Sequence, residues 1–96
     1  MLTYKASYKF FDDGIHGEVL DFRGAITCGQ DLNEARELLA GALVDMSETN
    51  LMVGENLPIP DPNVTNSDAD LEEPIHLILN ASSKFTVTPD AIYEAA

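Results

Sequence analysis

The side chains of this sequence that could do chemistry are mostly carboxylates. Asp and Glu number 17 against five Lys and Arg, which gives a formal net charge of −12 at pH 7. Asp12, Asp13, Asp21 and Glu34 are of the type that could hold a pair of magnesium ions in an active site. Turn and helix-cap preferences already explain Asp12, Asp13 and Glu34. No Ser-His-Asp or Cys-His pattern stands beside them, so we expect a protein that is not an enzyme.

The segment 61–72 imitates a calcium-binding loop. Its first, third, fifth and twelfth positions carry side-chain oxygens, from Asp61, Asn63, Thr65 and Glu72. The sixth position holds Asn66 where such loops need glycine, and the flanks are not two helices. His16, Cys28 and His76 are too widely spaced for a short zinc motif. We therefore predict no metal site and no cofactor.

The charge distribution predicts the kind of partner. No Lys or Arg stands between Arg36 and Lys84, a stretch rich in Asp and Glu. Nucleic-acid binding needs cations that displace counterions from phosphates, so we expect no direct contact with DNA or RNA. An acidic surface steers a basic protein instead. We predict partner contact at the acidic residues of the loop over 61–73, with a merely solvated charge run as the alternative reading: Asp61, Asp68, Asp70, Glu72 and Glu73.

Alternating residues predict an antiparallel meander at the start of the chain. One face of the first strand carries Tyr4, Ala6, Tyr8 and Phe10 and should lie in the core, while the other face meets solvent. The run Asp-Asp-Gly at 12–14 favours a tight turn, after which residues 18–22 should return as the second strand. Another turn at 23–24 precedes a third strand over 25–28.

A single long helix is predicted over 32–53. Asp31 suits the N-cap and Glu34 the N3 position of a capping box, while Gly54 can end the helix. An apolar stripe at spacings of three and four should cover the sheet: Ala35, Leu38, Leu39, Ala42, Leu43 and Met46.

The remaining residues predict an extended connector, a loop and one more strand. The prolines over 57–62 exclude a helix. After the acidic loop, a fourth strand should begin at Ile75, with Ile75 and Leu77 on one face. We expect this strand to be buried over most of its length. We expect one α+β domain of order β-β-β-α-β over 1–80 and a short tail over 81–96 with a helical turn from 89.

These residues, in this order, resemble the HicB family of bacterial antitoxins. The resemblance begins with the tyrosine-bearing first strand and its Asp-Gly turn. It continues through Gly-x-x-Thr-x-Gly-x-x-Leu-x-Glu-Ala over 24–35, then Gly54 and the Pro-x-Pro connector. The family usually has a Pro-Asp-x-Pro-Gly turn before the third strand, where this chain has Leu-Asp-Phe-Arg-Gly over 20–24.

The resemblance implies a partial ribonuclease-H-like fold and an antitoxin of a type II toxin-antitoxin system. Such an antitoxin binds and masks HicA, a small basic toxin that cleaves mRNA. Family members also carry a C-terminal helix-turn-helix or ribbon-helix-helix that binds operator DNA. After residue 88 too few residues remain for that module, so we do not expect operator binding.

A second hypothesis keeps the fold and drops the toxin. The chain would then be an orphan homo-oligomer, a dimer or a multiple of one, with a binding or regulatory role, since the edge strands of an open sheet can pair between copies. The single cysteine excludes an internal disulfide, and no apolar run approaches the ~18 residues of a membrane span. We expect a cytoplasmic protein with no membrane contact.

Overall fold

One long helix packs on a four-stranded antiparallel sheet in the computed structural model, which describes residues 2–79. The elements are β1 (Leu2–Phe11), β2 (Gly14–Val19), β3 (Ile26–Gly29), α1 (Leu32–Met52) and β4 (Leu71–Leu77). The strand order across the sheet is β3-β2-β1-β4, with every neighbouring pair antiparallel. The predicted α+β class and the order β-β-β-α-β are confirmed. The predicted tail and its helical turn lie outside the described residues.

The central strand β1 separates the two faces of the sheet. Tyr4, Ala6 and Tyr8 point to the helix face and are at most 2% exposed. Lys5, Ser7 and Lys9 alternate with them and lie on the other face, called the open face below. The prediction that Phe10 belongs to the core is wrong, because this side chain sits beside the hairpin where the sheet ends and is 47% exposed.

The second strand runs from Gly14 to Val19, earlier than the predicted 18–22. The Asp12-Asp13 turn is tight, so pairing resumes at once, with Gly14 opposite Phe11. Phe22 is buried for another reason: it leaves the sheet and packs edge-on against Tyr4, with the ring centroids 5.3 Å apart. The third strand covers 26–29 rather than 25–28.

Local capping fixes both ends of α1. The Asp31 carboxylate accepts a hydrogen bond from the Glu34 backbone N–H at 2.8 Å. The Glu34 carboxylate accepts from the Gln30 N–H at 3.0 Å, one residue before the N-cap. At the other end Gly54 adopts a φ of 80°, and the Glu55 N–H donates to the Asn50 carbonyl at 2.8 Å. This pairing is that of a Schellman motif.

The buried face of α1 is narrower than the predicted stripe. Ala35, Leu39, Leu43 and Ser47 are fully buried, at spacings of four. Leu38 is 44% exposed, so its prediction as a core residue is wrong. Spacings of four place one line of residues against a sheet, and Leu38 lies to the side of that line. Ala42 and Met46 are partly buried.

The segment between α1 and β4 crosses from one face of the sheet to the other. Leu57 is fully buried in the core, and the Tyr4 hydroxyl donates to the Pro58 carbonyl at 2.7 Å on the helix face. On the open face, the Lys5 ammonium donates to the Val64 carbonyl at 3.3 Å. Because Tyr4 and Lys5 are adjacent in β1 and point to opposite faces, the connector passes the sheet between these two contacts.

Strand β4 begins at Leu71, four residues before the predicted start at Ile75, and ends at Leu77. Its residues Leu71, Glu72 and Glu73, expected in the acidic loop, therefore belong to the sheet and pair with β1. Ile75 and Leu77 are buried as predicted. The expectation that this strand is buried over most of its length is wrong, because one face of the sheet carries no helix.

Candidate functional site

The predicted acidic cluster is divided between the two faces of the sheet. Glu72 and Glu73 are consecutive residues of β4, so their side chains point to opposite faces. Glu73 lies on the helix face, where Arg36 of α1 donates to both of its oxygens at 2.7 and 2.9 Å. This bidentate pair ties the helix to the edge strand. It lies beside Tyr8, whose pKa is raised to about 12, first by burial and then by the charge of Glu73.

Glu72 lies on the open face and organises the loop that precedes its strand. Its carboxylate accepts from the Thr65 hydroxyl at 2.8 Å and from the Asn66 backbone N–H at 3.3 Å. The Lys5 ammonium stands 3.8 Å away. The Thr65 hydrogen bond, followed by the Asn66 N–H and the charge of Lys5, lowers the pKa of Glu72 against the opposing effect of desolvation.

The remaining predicted residues have lesser roles within the chain. Asp70 accepts from the Phe10 backbone N–H at 2.8 Å and stands 3.6 Å from the Lys9 ammonium. Asp61 closes a short turn by accepting from the Asn63 N–H at 3.0 Å. Within residues 2–79 the Asp68 carboxylate has neither a hydrogen bond nor an ion pair, although its backbone N–H donates to Asn66. Of the five predicted contact residues, Asp68 has the freest carboxylate, and partner contact by all five stays a prediction.

The cations of the described chain are largely used by these same residues. Lys5, Lys9 and Arg36 pair with Glu72, Asp70 and Glu73. Arg23, in the exposed turn before β3, is the other cation among residues 2–79. The sequence-predicted acidic loop is thus partly neutralised inside the protein, and the excess negative charge lies elsewhere.

Three of the carboxylates without an ion pair within residues 2–79 lie on the outer face of α1. Glu37 and Asp45 are exposed and Glu48 is partly exposed, with no ion pair to any of them. At about 100° per residue, these three side chains fall within about 80° of one another, opposite the buried line of the helix. The last turn of α1 contains no basic residue. We call Glu37, Asp45 and Glu48 the acidic helix face.

The spacing of these three residues was visible in the sequence. It indicated only that they point away from the sheet, because an amphipathic helix has a polar face whether or not that face binds anything. The sequence did not indicate that Asp70, Glu72 and Glu73 form ion pairs with Lys9, Lys5 and Arg36. Only the tertiary contacts distinguish a neutralised carboxylate from a free one.

The residues considered for metal binding do not converge. The His76 ring and the Thr3 hydroxyl share a hydrogen bond at 2.9 Å, and the tautomer of the ring sets which of the two donates. Cys28 is an exposed free thiol. Across residues 2–79 no three His, Cys, Asp or Glu side chains come together as a metal ion would require. In the same range no helix has the length and apolar character needed to cross a membrane.

Comparison with known proteins supports the fold. No protein-family model matches the chain, and no match was found among curated proteins. Among solved structures, the chain is similar to one from a toxin-antitoxin complex of Streptococcus pneumoniae, with a TM-score of 0.62 and 18% sequence identity. The similarity covers 91% of this chain and 80% of the other. This chain therefore shares its fold with a component of a toxin-antitoxin complex.

Proposed function

We propose that this chain is a HicB-like antitoxin that binds a small basic, RNA-cleaving toxin of the HicA kind and masks its RNA-binding or catalytic surface. The observation that carries the proposal is the acidic helix face, which has no cation to neutralise it within residues 2–79. The fold shared with a component of a toxin-antitoxin complex supports the same reading. A basic toxin would be drawn to this surface because opposite fields accelerate encounter.

The action we propose is occlusion without chemistry. The carboxylates considered for magnesium have structural positions: Asp12 and Asp13 form the turn between β1 and β2, and the Glu34 carboxylate accepts from the Gln30 N–H at the start of α1. Asp21 accepts backbone hydrogen bonds from Lys5 and Asp61. The acidic helix face would mimic part of the charge of RNA. We propose that the chain does this in the cytoplasm, where mRNA and an RNA-cleaving toxin meet.

The test is neutralisation of a basic RNA-cleaving toxin, beginning with any small basic protein encoded next to this chain. Purified toxin should cleave RNA, and equimolar chain should stop the cleavage. The chain alone, with Mg²⁺, should leave the RNA intact. Cleavage by the chain alone, or failure to bind and neutralise any such toxin, contradicts the proposal.

Charge variants locate the surface. The double variant Glu37→Lys/Glu48→Lys should slow association with the toxin by roughly tenfold at low salt and flatten its salt dependence. The matched control, Asp12→Lys/Glu55→Lys, changes the net charge equally outside the acidic helix face and should slow association less. Asp68→Lys tests the loop separately. Equal rates for the two double variants would mean that only net charge matters.

The alternative function, an orphan homo-oligomer without a toxin, makes a different prediction. Sedimentation of the purified chain should then show a concentration-dependent oligomer at physiological salt, and no basic protein should bind. Self-association of a chain with net charge −12 is opposed by its own field, so added salt should strengthen it.

A further inference from the structure

The two edges of the sheet differ in what they offer to another strand. The β4 edge is described first. Lys5 of β1 donates its N–H to the Asp21 side chain, and its carbonyl accepts from the Leu20 N–H, so both backbone groups point towards β2 and away from β4. Lys5 and its partner Pro74 are therefore a pair without mutual hydrogen bonds, and the backbone of Pro74 faces outwards. Proline has no N–H, so it interrupts the outward row of donors. Edges closed in this way resist strand addition.

The β3 edge has no such interruption. The Val19 N–H donates to the Ala25 carbonyl at 2.9 Å, which fixes the alternation of hydrogen bonds between β2 and β3. In that register the backbone groups of Ile26 and Cys28 point away from β2. Within residues 2–79 nothing accepts from their N–H groups or donates to their carbonyls. Both residues also have exposed side chains, and Ile26 is 57% exposed.

The residues of β3 do not protect this edge. The strand reads Ile-Thr-Cys-Gly and contains no proline, lysine or other charge. Natural edge strands usually carry such residues, or lie under a helix or loop, because an open row of donors and acceptors recruits other strands. An unprotected edge beside an exposed isoleucine is suited to pairing.

The surroundings of the β3 edge specify the chemistry of the partner. On the open face Glu18 stands directly opposite Ile26 and has no ion pair. On the helix side, Leu38 lies about 200° round α1 from Arg36, which reaches β4, so the exposed Leu38 lies on the flank of α1 that is turned away from β4. Asp45 is seven residues further along the same flank and is exposed. Each side of the sheet therefore offers an exposed apolar side chain together with a carboxylate: Ile26 with Glu18 on the open face, and Leu38 with Asp45 on the helix side.

We propose that β3 is the docking edge of this protein and that its occupant is a strand of a basic protein. The partner's backbone exchanges hydrogen bonds with Ile26 and Cys28, its apolar side chains cover Ile26 and Leu38, and its Lys or Arg side chains lie near Glu18 and Asp45. The inference rests on the proposed function and names how the toxin would attach. A second copy is the less suitable occupant, because it brings the same carboxylates face to face.

The test compares edge variants with matched controls in binding to the basic toxin of the neutralisation assay. Ile26→Lys places a charge on the edge, and Cys28→Pro removes an outward N–H without touching the β2 pairing. Each should weaken binding by about tenfold or more. Ile78→Lys alters an isoleucine that is 69% exposed and lies outside the edge, and Cys28→Ser keeps the N–H; both should bind as the unaltered chain does. Should Cys28→Pro fail to fold, the Ile26 and Ile78 pair decides.

A second arm does not depend on the toxin. A short peptide in which Lys alternates with Val and Thr is titrated into isotope-labelled full-length chain, followed by amide NMR and hydrogen exchange. The expected result is shifts and slowed exchange at Ile26 and Cys28, and none at Glu72 or His76. A peptide of the same pattern with Glu for Lys should give no shifts.

The outcomes separate the inference from the proposed function. Toxin binding that is equal in all variants overturns the docking edge and leaves the antitoxin role standing. Absence of any toxin binding overturns the antitoxin role, and the peptide arm then decides: shifts at the β3 edge support the docking edge, and shifts elsewhere or none overturn it. An oligomer abolished by Ile26→Lys and strengthened by salt assigns the edge to a second copy and overturns the basic occupant.

Discussion

The Asp21 carboxylate accepts a hydrogen bond from the backbone N–H of Asp61 at 2.9 Å, and its other oxygen accepts from Lys5 at 2.8 Å. One side chain, in the turn after β2, therefore holds the connector against β1 at the place where the connector changes faces. In the sequence, the residue type of Asp21 indicates only a candidate for holding magnesium. Its observed role is to accept hydrogen bonds from two backbone donors, one in β1 and one in the connector.

Replacing Asp21 should loosen this crossing. Asp21→Ala leaves the Lys5 N–H without its acceptor in a partly buried place, which costs about 1–3 kcal/mol of unfolding free energy. Asp21→Asn keeps one acceptor oxygen and should cost less. Urea unfolding measures the loss, and the amide NMR shift of Asp61 reports whether the connector has moved. An alanine variant as stable as the unaltered chain would show that water replaces the carboxylate freely.

Two glycines should respond to alanine in opposite directions. A Cβ at Gly29 would stand 2.6 Å from the Ala35 backbone nitrogen, so Gly29→Ala forces α1 away from β3 and should cost about 1–3 kcal/mol. Gly41 lies within α1 with nothing near its added carbon, and Gly41→Ala should stabilise by roughly 0.5–1 kcal/mol. Thermal unfolding of both variants checks the pair. Equal effects would contradict the close contact of helix and strand.

Adjacent leucines of α1 should differ in the same manner. Leu39 is fully buried, and Leu39→Ala should cost about 2–5 kcal/mol because the cavity it leaves does not refill. Leu38 is 44% exposed, and Leu38→Ala should change stability by less than about 1 kcal/mol. Denaturant unfolding measures both free energies, and the m-values should be the same as for the unaltered chain. A large loss at Leu38 would restore the broader stripe that its spacing suggested.

The loop before β4 should loosen in acid. The folded-state pKa of Glu72 lies below its ordinary value of 4.5, mainly because Thr65 donates to the ionised form. The stabilisation is therefore present above the pKa of the unfolded chain and is lost as the pH falls through the folded pKa. Thr65→Val should raise the pKa of Glu72 towards 4.5, as followed by carboxyl-carbon NMR titration. Thr49→Val, on the exposed side of α1, is the control and should leave that pKa unchanged.

Elements whose signals are local can be predicted from the sequence alone. The alternation in β1, the Asp-Asp-Gly turn and both ends of α1 are set by interactions between residues a few positions apart. Asp31 accepts a hydrogen bond from the Glu34 N–H, and Gly54 adopts the positive φ that ends the helix. Neither interaction depends on where the helix packs. These features were predicted to within one or two residues, because steric and capping preferences act before the chain has a tertiary structure.

Which carboxylates are free and which side chains are buried depends on contacts between residues far apart in the sequence. Glu73 meets Arg36 and Glu72 meets Thr65 because β4 begins at Leu71 beside β1, and no local pattern reports that pairing. Phe22 was predicted to lie in a strand because an apolar residue is expected both in a buried strand and in a buried turn, and the residue type does not distinguish the two. A sequence gives only the net charge of the protein. The electrostatic field outside the protein also depends on which opposite charges come within hydrogen-bonding distance of each other. Long-range packing sets those distances.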